Sequence, residues 1–150
     1  MKICFIASSG GHLDELLMLK PLMEKYDSYI ITEKTEYCAV TNSKLYYVEQ
    51  INRKEKGFLL NFIRLSLISL KIFLKEKPDI VISTGALASV ATCIICKVFR
   101  RKLIFIESFA DINSPTVTGK ILHNFSDLFI VQWESLNKFY KKSIYGGGIY

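Results

Sequence analysis

Short runs of apolar residues alternate along the chain with stretches in which apolar side chains recur at helical spacing. The apolar runs predict strands at 2–7, 28–32, 45–48, 79–83, 103–106 and 128–131. Helical spacing predicts helices from His12 onward and at 57–75, 85–99 and 133–140, followed by a glycine-rich tail at 144–150. Because alternating strands and helices form βαβ units, we expect an α/β fold: a Rossmann-like, open, mainly parallel sheet with helices on both faces.

Length and composition limit the number of domains and the kinds of partner that fit the chain. A chain of 150 residues, half of them hydrophobic, forms one domain over 1–150 and is neither disordered nor long enough for two domains. The formal net charge of +6 favours an anionic partner, such as a membrane surface, a phosphorylated ligand or nucleic acid. Nucleic acid ranks last, because the basic residues are spread over apolar helices and form no aromatic-rich basic face.

The four cysteines form no disulfide pattern. Cys93 and Cys96 make a C-x-x-C pair, but no second pair exists and the surrounding run is apolar, so we interpret them as a buried helix face. No metal and no cofactor are predicted. Because the first strand starts at Lys2, with no signal peptide before it, we expect a cytoplasmic protein.

The loop after the first strand carries Ser9, Gly10, Gly11 and His12. Parallel sheets bind ligands beyond the carboxyl ends of their strands. Two glycines allow a sharp turn and a close approach, and the start of a helix attracts phosphate or diphosphate. His12 is a candidate base; the alternative is a capping turn with a surface histidine. Neither the full G-x-G-x-x-G spacing nor a Walker lysine is present, so dinucleotide and P-loop functions are weakly supported.

Two further loops occupy equivalent positions. Thr84 and Gly85 follow the predicted strand at 79–83, where small residues permit close approach to a ligand or, alternatively, tight packing of helix on sheet. Glu107 and Ser108 follow the strand at 103–106. A carboxylate at such a strand exit can accept a proton or bind sugar hydroxyl groups, and the alternative for Glu107 is a structural anchor.

The predicted helix at 57–75 has an apolar arc wider than one sheet contact requires. Basic residues within it argue against a membrane span, whereas a helix lying in the membrane interface would place apolar side chains in the acyl boundary and basic ones on anionic headgroups. The alternative is a buried crossover helix. The candidate membrane residues are Lys54, Lys56, Phe58, Leu59, Phe62 and Arg64.

Six stretches, in order and at matching separations, resemble the Alg14-like family of polysaccharide biosynthesis proteins, which includes capsule and exopolysaccharide subunits. The stretches are 8–12, 78–85, 105–110, 114–116, 127–133 and 145–147. The resemblance implies the N-terminal half of a GT-B glycosyltransferase, similar to the peptidoglycan lipid-intermediate N-acetylglucosaminyltransferase. The chain departs from the family pattern at Ala86 and Leu87, where a further glycine is common.

The same resemblance implies a function in two parts. The chain would bind a lipid-diphosphate-linked saccharide on the cytoplasmic face of the membrane, as a peripheral protein, and recruit a catalytic partner that binds the UDP-sugar. No donor-binding segment follows Tyr150, so we expect little activity from the chain alone. Gly10 and Gly11 would lie at the acceptor diphosphate and His12 would be the base, with Glu107 in reserve. The alternatives are a non-catalytic membrane anchor for the partner and a self-contained nucleotide-binding Rossmann protein.

Overall fold

A computed structural model describes residues 1–35 and 43–150. In these two ranges, parallel strands form one sheet in the order β3-β2-β1-β4-β5-β6-β7. The strands are β1 (Lys2–Ala7), β2 (Asp27–Glu33), β3 (Lys44–Val48), β4 (Ile80–Gly85), β5 (Lys102–Ile106), β6 (Leu128–Val131) and β7 (Ile144–Tyr145). The helices are α1 (Gly11–Leu17), α2 (Lys20–Lys25), α3 (Phe58–Glu76), α4 (Leu87–Val98) and α5 (Val117–Leu122).

The central strands are buried on both faces, which explains their continuous apolar sequence. Helices α1 and α2 cover one face, where Leu13, Leu16 and Met23 pack with Phe5 and Ile30. Helices α3, α4 and α5 cover the other face. The residues that pack there include Leu65, Phe73, Ala91, Cys93 and Leu122. The predicted Rossmann-like sheet with helices on both faces is confirmed.

Helix α3 is the crossover that carries the chain from the edge strand β3 to the central strand β4. It begins after Gly57, whose φ is +89°, and ends before Lys77, whose φ is +50°. Pro78 then prevents continuation of the helix. Its buried face includes Leu65, Ile72 and Phe73, and burial of each such side chain contributes about 1.5–3 kcal/mol.

The last residue of α3 joins three elements at the amino ends of the strands. The Glu76 side chain is 6% exposed and accepts hydrogen bonds from Lys2 Nζ at 2.9 Å, Lys44 Nζ at 2.6 Å and the hydroxyl group of Tyr46. These contacts lower the pKa of Glu76 to about 2, and the hydrogen bond from Lys44 makes the largest contribution. Glu76 therefore connects β1, β3 and α3 as a carboxylate.

The structure differs from the predicted elements at three places. The helix expected at 133–140 is a short 3-10 helix (Glu134–Lys138), because its hydrogen bonds join residues three apart, as from the Leu136 amide to the Trp133 carbonyl at 3.0 Å. Helix α5 was not predicted; its start is capped by Thr116, whose hydroxyl oxygen accepts from the Gly119 amide at 2.8 Å. The tail begins with β7, which pairs with β6.

Cys93 and Cys96 lie buried and unpaired on α4, which confirms the interpretation as a buried helix face. Cys38 lies outside the described residues. Within residues 1–35 and 43–150, no helix has the length and apolar character needed to cross a bilayer. The same ranges contain no group of three or more side chains arranged to hold a metal ion.

Candidate functional site

The loops that follow β1, β4 and β5 meet at the carboxyl edge of the sheet. The amide of Ser8, after β1, donates a hydrogen bond of 2.9 Å to the carbonyl oxygen of Gly85, at the end of β4. Gly10 has a φ of +81°, which favours glycine, and a Cβ atom at Gly10 or Gly11 would meet nothing within 4 Å. The glycine loop is therefore held on its sheet side and open on the other.

His12 is fixed by two reciprocal hydrogen bonds with Thr84. Its Nδ1 lies 2.9 Å from the Thr84 carbonyl oxygen, and the Thr84 hydroxyl group donates to the His12 carbonyl oxygen at 2.6 Å. A carbonyl oxygen only accepts, so Nδ1 carries the hydrogen and Nε2 of the neutral ring keeps the lone pair. The ring is thus held in the tautomer that a base requires at Nε2.

Gly85 leaves the space that the His12 ring occupies. Its φ is +103°, and a Cβ atom built there would lie 3.3 Å from two atoms of the His12 ring. A larger residue at this position would therefore strain the backbone and press on the ring. A cavity of about 50 Å³ adjoins the pair, and Glu107, Thr116 and Thr118 contribute to its lining. The structure brings His12, Thr84, Gly85 and Glu107 together around this cavity, and their roles in binding or catalysis stay predictions.

Glu107 is completely buried and its carboxylate is surrounded by donors. Oε1 accepts from the Ser108 amide at 3.1 Å and from the Thr116 hydroxyl at 2.7 Å, and Oε2 accepts from the Tyr140 hydroxyl. A Cβ atom at Gly119 would collide with Oε2 and with that hydroxyl group. These contacts anchor the start of α5 and the 3-10 segment; a catalytic role for Glu107 stays a prediction.

The polar groups of Ser9 and Ser108 bind buried carboxylates. The amide and hydroxyl group of Ser9 donate to Glu33 Oε2 at 3.2 and 3.3 Å, and the Ser108 hydroxyl donates to Glu15 Oε1 at 3.3 Å. Both serines therefore shape their loops, and their contacts with a substrate stay predictions. Sequence reasoning missed Glu33, although its place at the end of a strand was a usable signal.

Glu15 and Gln132 are two more polar residues that sequence reasoning missed. Glu15 Oε1 accepts from the Phe109 amide at 2.8 Å. Gln132, just after β6, donates to the Glu107 carbonyl oxygen at 2.9 Å and accepts from the Ile149 amide at 2.8 Å. Gln132 follows a predicted strand, which was a usable signal for a site residue. Nothing in the sequence distinguishes Glu15 from a solvated glutamate on a helix.

Aromatic rings gather where the loop after β5 meets the tail. The indole N–H of Trp133 donates to the Phe109 carbonyl oxygen at 2.7 Å, and the two ring centroids are 4.8 Å apart. The Tyr150 ring stands edge-on to Phe109 at 5.3 Å. A Cβ atom at Gly148 would approach the Phe109 ring to 3.1 Å, so the tail lies close against this ring.

Of the predicted membrane residues, two are half-buried and four are exposed. Phe58 and Phe62 are half-buried and pack against the core, so α3 turns them toward the sheet; their insertion into a membrane stays a prediction. Leu59 is 70% exposed, and Arg64, Lys54 and Lys56 are exposed as predicted. The exposed apolar residues that share the outer face of α3 with Leu59 are Leu60, Ile63, Leu67 and Leu74.

Two relatives resemble the chain in sequence. The UDP-N-acetylglucosamine transferase subunit ALG14 of Mus musculus is 27% identical, over 99% of this chain and 83% of the relative. The UDP-N-acetylglucosamine--N-acetylmuramyl-(pentapeptide) pyrophosphoryl-undecaprenol N-acetylglucosamine transferase of Vesicomyosocius okutanii is 30% identical, over 86% of this chain and 43% of the relative.

Solved structures share the fold. MurG of Acinetobacter baumannii superposes with a TM-score of 0.74 at 13% identity, over 90% of this chain and 43% of MurG. UDP-N-acetylglucosamine 2-epimerase of Rickettsia bellii superposes with a TM-score of 0.77 at 15% identity, over 99% of this chain and 45% of the epimerase. The chain thus spans less than half of each of these structures.

One family profile matches more than half of the chain. It is described as "Oligosaccharide biosynthesis protein Alg14 like" and covers residues 58–149, from the start of α3 to the tail. This range contains the Thr84–Gly85 turn, Glu107 and Gln132. The glycine loop after β1 lies outside it. On this match, the chain belongs to the Alg14-like family of oligosaccharide biosynthesis proteins.

Proposed function

We propose that this chain is the acceptor-binding subunit of a two-component glycosyltransferase that uses UDP-N-acetylglucosamine. The observation that carries the proposal is the His12–Thr84 pair, which leaves the basic nitrogen of His12 beside an open glycine loop. The Mus musculus relative is named a UDP-N-acetylglucosamine transferase subunit, which supports the donor and the division between two proteins. The partner supplies the UDP-sugar site, and no metal or cofactor is assigned to this chain.

The acceptor is a saccharide linked to a lipid diphosphate. The name of the Vesicomyosocius okutanii relative contains a pyrophosphoryl-undecaprenol acceptor, which supports this class. Gly10 and Gly11 face the diphosphate, because glycine lets backbone amides approach phosphate oxygens closely. Thr84 and Gly85, which line the cavity beside His12, contribute further contacts to the acceptor. A capsule or exopolysaccharide repeat unit as the acceptor stays a prediction from the sequence resemblance.

The chemistry is an inverting transfer with His12 as general base. Nε2 takes the proton of the attacking hydroxyl group while its oxygen forms a bond to the anomeric carbon. The bond from that carbon to the UDP oxygen breaks, and UDP leaves with the electron pair. General-base assistance of this kind is commonly worth about 10²–10⁴-fold. The imidazolium that forms keeps its Nδ1 hydrogen bond to the Thr84 carbonyl oxygen.

The outer face of α3 binds the anionic cytoplasmic surface of the membrane. Leu59, Leu60, Ile63 and Leu67 are exposed on this face, and basic side chains follow one edge of the apolar stripe: Arg64, Lys71 and Lys75. Apolar insertion combined with basic contacts to headgroups is the pattern of an interfacial helix. Each basic residue near an anionic surface contributes about 1 kcal/mol. The protein is thus peripheral.

The test is reconstitution. The chain is co-expressed with a donor-binding partner and assayed with radiolabelled UDP-N-acetylglucosamine and a short-chain lipid-diphosphate saccharide. We expect the pair to transfer sugar and the isolated chain to be nearly inactive. Full turnover by the isolated chain, or tight binding of the donor by it, would favour the self-contained nucleotide-binding Rossmann protein. An active pair whose rate does not change with His12→Ala would favour the non-catalytic anchor.

A further inference from the structure

Glu15 is a buried carboxylate one turn after His12 on α1, and it has no role in the sugar transfer described above. It is 3% exposed. Its Oε1 accepts from the Phe109 amide at 2.8 Å and from the Ser108 hydroxyl at 3.3 Å, and Gln132 Nε2 approaches Oε2 at 3.5 Å. A single side chain of α1 thus contacts the loop after β5 and the end of β6.

Helix α1 has seven residues and therefore depends on tertiary contacts to keep its orientation. Two polar anchors hold it. At its first turn, His12 exchanges hydrogen bonds with Thr84 at the end of β4. One turn later, Glu15 binds the loop after β5. The two anchors are attached to neighbouring strands of the sheet, so together they fix both the tilt and the rotation of the helix.

We propose that Glu15 is a positioning residue for the base His12. This inference rests on the proposed function, because it assumes that His12 takes the acceptor proton. Glu15 holds the helix that carries the imidazole against the two strand exits. Misplacement of a reacting group by about 1 Å can reduce a rate by about 10²-fold. Loss of the second anchor therefore slows the chemical step while the glycine loop still binds the acceptor.

Electrostatics supports the same role. Burial raises the pKa of the Glu15 carboxyl group, while the Phe109 amide and then the charge of His12 act in the opposite direction. The Phe109 and Ser108 contacts favour the ionised form of Glu15, the form that accepts both hydrogen bonds at Oε1. The side-chain amide of Gln132 is also oriented. Its oxygen accepts a hydrogen bond from the Ile149 amide, which turns its nitrogen toward the Glu15 carboxylate.

A double-mutant cycle on the assembled pair tests this inference. Glu15→Gln keeps the shape of the side chain but loses the charge, and Glu24→Gln is a matched control on an exposed glutamate of α2. We expect kcat of Glu15→Gln, per folded protein by circular dichroism, to fall about 10- to 100-fold with little change in the KM for the acceptor. Glu24→Gln keeps the full rate.

The His12→Ala background distinguishes positioning from general stability. If Glu15 acts through His12, Glu15→Gln reduces the residual rate of His12→Ala by less than about 2-fold, because residues that act as a unit are strongly non-additive. Equal losses in both backgrounds, or no loss, overturn the inference alone. A wild-type pair that transfers no sugar overturns the proposed function and this inference with it. If Glu15→Gln does not fold, Glu15→Asp goes through the same cycle with the same criteria.

Discussion

His12 and Thr84 each hydrogen-bond the other's backbone through a side chain: Nδ1 of His12 lies 2.9 Å from the Thr84 carbonyl oxygen, and the Thr84 hydroxyl lies 2.6 Å from the His12 carbonyl oxygen. Two hydrogen bonds between the same residues fix both the backbone and the ring of the histidine. The pair therefore links the loop after β1 to the loop after β4 and selects Nε2 as the basic nitrogen.

Replacement of Thr84 by valine tests this pair. Valine keeps the branched shape and removes the hydroxyl group, so the hydrogen bond to the His12 carbonyl oxygen is lost, at a cost of about 0.5–1.5 kcal/mol. We expect Thr84→Val to lower the free energy of unfolding in urea by that amount and to reduce transfer by the assembled pair. Thr84→Ser, which keeps the hydroxyl group, is the control and should keep more activity than Thr84→Val. Equal rates for the two variants would contradict the role of the hydroxyl group.

The base itself is tested with His12→Ala. We expect kcat of the assembled pair to fall by about 10²–10⁴-fold, because proton removal from the attacking hydroxyl group is lost. The side chain is only half-buried, so the free energy of unfolding should change much less than the rate. Urea titrations of the isolated chain and initial rates of the pair provide the two measurements.

Gly119 should be intolerant of a side chain. A Cβ atom there collides with the Glu107 carboxylate and the Tyr140 hydroxyl, both buried, so Gly119→Ala forces the core to shift. Overpacking of this kind costs about 1–3 kcal/mol. Gly11→Ala is the matched control, because its Cβ meets nothing within 4 Å. Thermal unfolding should show a large decrease in Tm for Gly119→Ala and a small change for Gly11→Ala; equal decreases would contradict the packing argument.

Acid should weaken the contact between α3 and the first and third strands. The pKa of Glu76 is lowered from 4.5 to about 2, chiefly by the hydrogen bond from Lys44. A lowered pKa means that the stabilisation is fully present above pH 4.5 and is lost as the pH falls from 4.5 toward 2. Urea titrations at pH 6, 4 and 3 should therefore show a smaller pH dependence in Glu76→Gln than in the wild type.

Glu24→Gln provides the comparison for that experiment, because Glu24 pairs with Lys20 on the surface at 3.9 Å with its side chain 60% exposed. Such surface pairs contribute about 0–1 kcal/mol. Its acid dependence should follow the wild type. If Glu76→Gln also followed the wild type between pH 6 and 3, the Glu76 carboxylate would not be the group that responds to acid.

Membrane binding should depend on the basic edge of α3. Replacement of Arg64 and Lys71 by glutamine removes two positive charges, each worth about 1 kcal/mol near an anionic surface, so affinity for vesicles rich in anionic lipid should fall about 30-fold. Lys20→Gln with Lys25→Gln removes the same charge from α2, on the opposite face of the sheet, and should have a small effect. Sedimentation with vesicles measures both, and equal losses would indicate attraction by net charge alone.

The central strands were predictable because they are buried on both faces. Cys4, Phe5 and Ile6 form a run with no polar interruption, as do Val81 and Ile82, and such runs bounded by small polar residues are typical of central parallel strands. The loops at the carboxyl ends were predictable for the same reason, since the first polar or glycine residue after an apolar run marks the exit of the strand. His12, Thr84 and Glu107 were identified in this way.

Other features depend on packing and leave little trace in the sequence. Both sides of α3 are apolar, so the sequence alone did not show that Phe58 and Phe62 turn inward and Leu60 and Leu67 outward. Gly119 lowers the helix propensity of α5, although a carboxylate and a hydroxyl group require that glycine. Glu15 resembled any charged residue on a helix until the fold placed a backbone amide against it.

Trp133 is the only tryptophan in the chain, and it contacts both the loop after β5 and, through the Phe109 ring, the terminal Tyr150. The protein therefore contains an intrinsic optical reporter at this edge of the sheet. Any molecule that displaces the last residues, or moves the loop that Glu15 holds, alters the surroundings of the indole. Its fluorescence emission follows such an event without an added label.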